Sequence, residues 1–390
     1  MKINYSRQNI DKNDIKLVIK SLNSDLITQG NFVKKFEKDL KNYFNAKYAF
    51  AVSNGTAALY IGCKSLGWSK NDIIITTPNT FIASANAIES VGGITELVDI
   101  NELDNCIDPN KLENKIINLR KKNKLVRGLI AVDYAGQPCD WESIRYLANK
   151  YEFQVINDNC HSMGAKYNSS LGYASKYADL VCQSYHPVKN ITTGEGGSIL
   201  TNKKDISDKV NILRSHGIER NRSNFRKKKN VPNWYYEVQD LSLNFRISDI
   251  NCALGISQLK KLNKFVKIRK KIASIYDDTL RNIDYIHTPK KISNTSHAYH
   301  LYPLRINFKK LKLNKIKFFN YFFKSGFKLQ VHYIPIYKHP YYKDKYKFKE
   351  NDFPNTNKFY DDVFSIPNYV GLKKKEQLKF IRLLKKYVQK

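Results

Sequence analysis

Lys189 stands where a lysine is able to act as a nucleophile. It lies five residues past Ser184 in Asp179-Leu-Val-Cys-Gln-Ser-Tyr-His-Pro-Val-Lys-Asn-Ile-Thr-Thr-Gly-Glu-Gly-Gly197, where a short apolar run ends in a hydroxyl and a threonine- and glycine-rich turn follows. An amine attacks only when neutral, and burial or a neighbouring cation arranges that by lowering its pKa. A loop beyond the carboxyl end of a strand is where open α/β sheets bind ligands. Alone the lysine says little, because 67 of the 390 residues are Lys or Arg.

Three other segments supply matching chemistry. Val155-Ile-Asn-Asp-Asn-Cys-His161 sets Asp158 just past an apolar strand. A carboxylate there suits the nitrogen of a pyridine ring, whose protonated form is an electron sink, and His161 is in reach of an oxygen on the same ring. Standing alone, Asp158 would equally serve as a cap. In Val52-Ser-Asn-Gly-Thr-Ala-Ala-Leu59, Gly55 and Thr56 open a helix directly after a strand. Free N–H groups and the positive end of the helix dipole meet there and bind phosphate, and Ser184 adds a hydroxyl. Thr76-Thr-Pro-Asn-Thr-Phe81 delivers an aromatic ring that either stacks on a planar ligand or fills a core. Amine, carboxylate, anion cradle and aromatic together fit pyridoxal phosphate. The histidines show no His-Glu-x-x-His spacing and the six cysteines no Cys-x-x-Cys pair, so no metal site and no disulfide framework is expected.

These residues need a scaffold, and the text around them alternates β-branched runs with helical patterns. Strands are predicted at Tyr48–Ser53, Asp72–Thr76, Ile94–Ile100, Val126–Asp133, Phe153–Asn157, Asp179–Ser184 and Gly197–Thr201. Helices are predicted at Gly55–Leu66, Phe81–Val91 and after Asp140. Such alternation makes an α/β unit with a mostly parallel sheet covered on both faces. After Cys252 the pattern changes. A long basic helix is predicted over Ser257–Asp277, then a strand Ala298–Ile306, a helix capped by Asn314, a short strand at Leu329–Tyr333 and a helix Lys374–Val388. This reads as a large domain over 1–255 and a connector helix with a small C-terminal α+β domain over 256–390. The helix near Asp14–Leu22 is free to pack on either.

Composition bounds the class. Hydrophobic residues are 42% and aromatics 13%, as a folded core requires. No apolar run is long enough to span a membrane and the N-terminus lacks an apolar signal region, so a cytoplasmic protein is expected. The net charge of +32 is spread along the chain and favours anionic ligands; no recognition motif for nucleic acid accompanies it.

Together the segments resemble the DegT/DnrJ/StrS family of nucleotide-sugar aminotransferases, over nearly the whole chain. The resemblance is carried by Leu26-Ile-Thr-Gln-Gly30 with Phe36-Glu37, Ser53-Asn-Gly-Thr56, Tyr134-Ala-Gly-Gln-Pro138, the Ser184…Lys189…Gly194-Glu-Gly-Gly197 block, Arg214-Ser-His-Gly217, Leu243-Asn-Phe-Arg246, Ala253-Leu-Gly255 and Ser365-Ile-Pro367. It implies the fold of aspartate aminotransferase (fold type I), pyridoxal 5'-phosphate as cofactor and Lys189 as its Schiff-base lysine. It further implies Asp158 at the pyridine nitrogen, His161 near the ring oxygen, Gly55, Thr56 and Ser184 as phosphate and cofactor contacts, and Phe81 as the stacking aromatic. Asn244 is implied to reach the site from a neighbouring subunit, hence a homodimer with shared sites. Asn157, Asn159 and Cys160 depart from the acidic and small residues usual around Asp158.

Within the family the chain is most similar to transaminases of pseudaminic acid biosynthesis, on Tyr5-Ser6, His186 and Leu329-Gln-Val-His-Tyr-Ile-Pro335. That implies sugar-nucleotide contacts from Tyr5, from Asp25, Leu26, Ile27 and Thr28, from Gly55, Ser184 and Asn244, and from Gln330, Val331, His332 and Tyr333. The implied reaction is amination at C4 of a UDP-linked 4-keto-6-deoxy-N-acetylhexosamine with L-glutamate as donor. A GDP- or dTDP-linked 4-keto-6-deoxyhexose is the alternative substrate. Dehydratase-like relatives replace the lysine with histidine, so Lys189 speaks against them, and the Lys189/Asp158 pair against a non-catalytic basic binding protein.

Overall fold

The computed structural model describes residues 2–227 and 229–389. Its centre is a seven-stranded sheet of Tyr48–Val52 (β1), Ile73–Thr76 (β2), Ile94–Leu97 (β3), Val126–Val132 (β4), Gln154–Asp158 (β5), Leu180–Ser184 (β6) and Gly197–Thr201 (β7). The order is β1-β7-β6-β5-β4-β2-β3. β7 runs antiparallel to both of its neighbours, and the other pairings are parallel. All seven predicted strands are present.

Alternation along the strands divides their side chains between two cores. Ile75, Leu129, Val155 and Val181 face one layer with Phe36, Leu112, Trp141, Ile144 and Ile256. Ile74, Ile130, Ile156, Leu180 and Ile199 face the other, with Leu59, Ile88 and Val210. A parallel sheet with both faces covered by helices results.

A third core belongs to the C-terminal part, where Ile286–His287 (β8), Tyr302–Ile306 (β9) and Val363–Ile366 (β10) form an antiparallel sheet in the order β8-β9-β10. Phe318, Phe322, Phe380 and Leu384 from the helices Lys315–Lys324 and Lys374–Val388 pack on it. Asn314 caps the first of these, accepting from Lys317 N–H at 2.9 Å.

Four expectations need correction. The predicted helix over Ser257–Asp277 is two helices, Asp249–Leu259 and Leu262–Leu280. The chain turns at Lys260 and Lys261, and Lys261 Nζ pairs with Asp14 at 2.6 Å and Asp11 at 3.0 Å. The second helix gives Leu262, Phe265 and Val266 to a large-sheet core and Ile272, Ala273, Tyr276 and Leu280 to the small one, so it joins the two. Ala298–Leu301 is not strand, because Ala298 and Leu301 donate their N–H groups to Gly136 and Ala135 instead. Of the strand expected at Leu329–Tyr333 there is only a single bridge, Gln330 to Ser365; the paired residues are Phe327–Lys328, beside Ile3–Asn4. The predicted helix over Phe81–Val91 begins at Ala83, which leaves Phe81 in the preceding loop. The N-terminal segment packs on both parts: Ile3–Asn4 pairs with Phe327–Lys328, and Asp14 in the helix Lys12–Leu22 accepts from Gln258 Nε2 in the helix Asp249–Leu259.

Candidate active site

A cavity of about 700 Å³ opens at the carboxyl ends of β4, β5 and β6. Lys189, Asp158, His161, Ser184, Gly55, Thr56, Phe81, Tyr5, Gln330, Val331, His332 and Tyr333 all line it. Residues from the first eighty to the last sixty thus converge on one place.

Lys189 follows β6 on a loop held from all sides. Ser6 Oγ donates to Val188 O at 2.9 Å, Asn190 Nδ2 to Met163 O at 2.8 Å and Thr192 Oγ1 to Tyr185 O at 2.9 Å. Among the described residues its ammonium makes no hydrogen bond, and burial pushes its pKa below the ordinary lysine value while Cys160 and Asp158 oppose that shift. A side chain so placed is readily neutral and free to react.

Asp158 ends β5 and is 5% exposed. One carboxylate oxygen accepts from Ser84 Oγ at 2.7 Å, and the other from the backbone N–H of Cys160 at 3.2 Å. Ser84 in turn lies 2.9 Å from Thr80 Oγ1. The carboxylate is therefore aimed by the helix Ala83–Ser90, a partner the sequence reading missed. Its signal was a hydroxyl three residues after Phe81, on the helix face turned to the sheet.

Asn157 and Asn159 do not touch this centre. Side chains alternate across a strand, and both amides point away, to the Asp133 carboxylate at 3.2 and 3.0 Å. Tyr173 Oη completes that buried cluster at 2.6 Å. Of the three departures from the family pattern, only Cys160 meets the cavity.

Gly55 starts the helix Gly55–Ser65, capped by Asn54, whose Oδ1 accepts from Ala57 N–H at 2.7 Å. A Cβ on Gly55 would lie 2.8 Å from Ser184 Cβ, so only glycine lets the helix end approach β6 this closely. The N–H groups of Gly55 and Thr56 have no partner among the described residues. With Ser184 they make a cradle for a phosphate.

On the far wall His161 Nδ1 accepts from Ala135 N–H at 3.2 Å and Nε2 lies 3.0 Å from Tyr333 Oη. Tyr5 and His332 meet edge to face at 4.7 Å. Phe81 is 53% exposed in a single chain, so it is no core residue, and its ring is 5.7 Å from that of Tyr333.

Asp25, Leu26, Ile27, Thr28 and Asn244 are not brought to the cavity of a single chain. All are exposed. Thr28 bridges Ser248, and Asp249 gathers the N–H groups of Gly30, Phe32 and Val33, while Phe245, next to Asn244, accepts from Ser53 N–H at 2.8 Å. Other residues of the family pattern serve packing. Glu37 pairs with Arg214, and Phe36 fills the space beside Gly255. All six cysteines are free thiols, and no group of metal-ligating side chains occurs among the described residues.

A lysine past β6, a buried carboxylate at the end of β5 and an anion cradle at a helix start, on this sheet order, define a pyridoxal-phosphate-dependent aminotransferase of fold type I. The residues present fit the cofactor: Gly55, Thr56 and Ser184 for its phosphate, Asp158 for its pyridine nitrogen and Lys189 for its aldehyde. The chain belongs to the DegT/DnrJ/EryC1/StrS aminotransferase family, whose model matches residues 8–385. It is 35% identical over 380 residues to the UDP-4-amino-4,6-dideoxy-N-acetyl-beta-L-altrosamine transaminase of Campylobacter jejuni, covering 97% of this chain and 96% of that one. The structure of Helicobacter pylori PseC, an aminotransferase involved in the biosynthesis of pseudoaminic acid, superposes with a TM-score of 0.90 at 28% identity and full coverage of both chains. A sugar aminotransferase from Streptococcus pneumoniae, solved in its PLP form, shares the fold at TM-score 0.87 and 24% identity, over 100% of this chain and 99% of that one.

Proposed function

We propose that this aminotransferase places an amino group on C4 of a UDP-linked 4-keto-6-deoxy-N-acetylhexosamine. L-glutamate is the donor, and the products are the altrosamine-type 4-amino sugar and 2-oxoglutarate, for pseudaminic acid or a related surface glycan. The observation that carries this reading is the convergence of Tyr5 and Gln330–Tyr333, from opposite ends of the chain, on the cavity that holds Lys189 and Asp158. In sequence those segments resemble transaminases of pseudaminic acid biosynthesis, and the chain as a whole is 35% identical to an altrosamine transaminase.

Bound there, pyridoxal phosphate supplies the electron sink for charge left on a substrate carbon when its proton departs. Asp158, aimed by Ser84, keeps a proton on the pyridine nitrogen, and that proton makes the sink effective. Lys189, with its lowered pKa, takes the proton from the substrate carbon and returns it on the other side of the reaction. Gly55, Thr56 and Ser184 would hold the phosphate and Phe81 would stack on the ring, while Tyr5 lines the same cavity.

The same reading includes a cytoplasmic, obligate homodimer with two composite sites. Leu26 and Ile27, and Leu241 and Leu243 on the loop of Asn244, are 58, 49, 78 and 61% exposed, apolar surface that suits a subunit interface better than water. Among the described residues no helix is long and apolar enough to cross a membrane.

Purified enzyme assayed with L-glutamate and UDP-, GDP- and dTDP-linked 4-keto sugars tests the substrate. The UDP-linked 2-acetamido sugar is expected to have the highest kcat/KM, by ~10-fold or more. Faster turnover of a GDP- or dTDP-linked sugar would reject the sugar and leave the aminotransferase standing.

A further inference from the structure

One hydrogen-bond chain in the cavity wall runs in a single direction. The backbone N–H of Ala135 donates to His161 Nδ1 at 3.2 Å. A backbone amide offers a proton and no lone pair, so Nδ1 must present its lone pair. Burial, with Lys189 and His332 nearby, pushes the imidazole well below its ordinary pKa. It is therefore neutral, and its one proton is on Nε2. Nε2 lies 3.0 Å from Tyr333 Oη. The imidazole donates, the phenol oxygen accepts, and the phenolic proton is left to point elsewhere.

The pair is held in place. The ring of His300 packs 4.5 Å from that of His161, and Tyr134 Oη donates to His332 O at 2.6 Å, fixing the residue before Tyr333. Facing the pair are Lys189 and His332 toward His161, and Asp158, Cys160, Tyr134 and Tyr5 toward Tyr333. Half-buried among them, Tyr333 keeps its proton, because loss of water around the phenol pushes its pKa well above the ordinary tyrosine value. Both side chains line the cavity with Lys189 and Asp158. The one ring proton that His161 has is therefore already given away.

We propose that Tyr333, rather than His161, donates the hydrogen bond to the ring oxygen of the bound cofactor, and that His161 is a positioning residue that fixes the direction of the Tyr333 proton. The inference rests on the cavity being the pyridoxal phosphate site. Two measurements test it, the first independently of that premise.

The first needs no cofactor. In 15N-histidine NMR of the apoprotein, with His161 assigned by its loss in His161→Gln, the ring is expected as the Nε2–H tautomer between about pH 6 and 9. An Nδ1–H tautomer or a charged ring there overturns the proposal. The second is the pH titration of the visible absorbance of the cofactor-loaded protein. A donor to the ring oxygen withdraws negative charge that would otherwise stabilise the cation on the Lys189 nitrogen beside it. Tyr333→Phe is expected to raise the midpoint by about one pH unit or more. His161→Gln, whose amide accepts from Ala135 and donates to Tyr333, is expected to stay within about 0.3 unit of wild type, while His161→Leu moves toward Tyr333→Phe. A Tyr333→Phe midpoint equal to wild type overturns the proposal. Protein that takes up no pyridoxal phosphate would instead remove the premise, and the tautomer would still be decided on the apoprotein.

Discussion

The floor of the cavity and its expected rim are built in opposite ways. Asp158 and Ser184 end adjacent strands, Lys189 follows on the loop after Ser184, and all three are held by hydrogen bonds within one chain. Asp25–Thr28 and Asn244 lie on exposed loops and do not line that cavity in a single chain. Groups that must hold an atom to within a fraction of an ångström are placed on a rigid sheet. Groups expected to recognise the outer part of a substrate are left on surface that one chain does not cover. The chemistry should thus depend on single-chain geometry, and the recognition on assembly.

The largest effect expected on the floor is that of Lys189. Lys189→Ala should abolish turnover, and borohydride reduction of the yellow wild-type protein should fix the cofactor on Lys189 in peptide mapping. A label on another lysine would move the chemistry off β6 and dissolve the contrast. Next comes Asp158→Asn, which keeps the shape and the Ser84 contact but removes the charge that holds the pyridine proton. Turnover should fall by about 100-fold or more while the thermal midpoint moves by only a few degrees. A near-normal rate would mean that another group organises the sink.

The floor was also the more legible region. β-branched runs, Gly55 at a helix start and Asp158 past an apolar run are local patterns, and each chemical group named from them reaches the cavity. Less legible were features that depend on what lies opposite. The amphipathic pattern runs unbroken through Lys260 and Lys261, so only Asp14 and Asp11, far away in sequence, reveal why the helix turns there. Ala298–Leu301 has strand composition, yet its N–H groups are taken by the Ala135–Gly136 loop. Asn157 and Asn159 looked like changes in the ring's surroundings until alternation along β5 put them against Asp133. His161 lines the cavity, but the direction of its proton is set by Ala135, a residue no motif marks for that purpose.

The rim supplies the most specific readout, a partial recovery of activity. If Asn244 completes the site of a partner subunit, Asn244→Ala inactivates the neighbour's site and leaves its own lysine intact, while Lys189→Ala does the reverse. Each variant alone would be inactive or nearly so. Unfolded together and refolded as a 1:1 mixture, about half of the dimers would carry one chain of each kind. In those, one site would contain both defects and the other neither, so the mixture should recover about a quarter of wild-type activity. Mixing two preparations of Asn244→Ala should recover nothing, which separates complementation from refolding alone. A fully active monomer in sedimentation, or a mixture no more active than its parts, would mean that Asn244 acts within its own chain or not at all. The exposed Leu26, Ile27, Leu241 and Leu243 would then need a different partner.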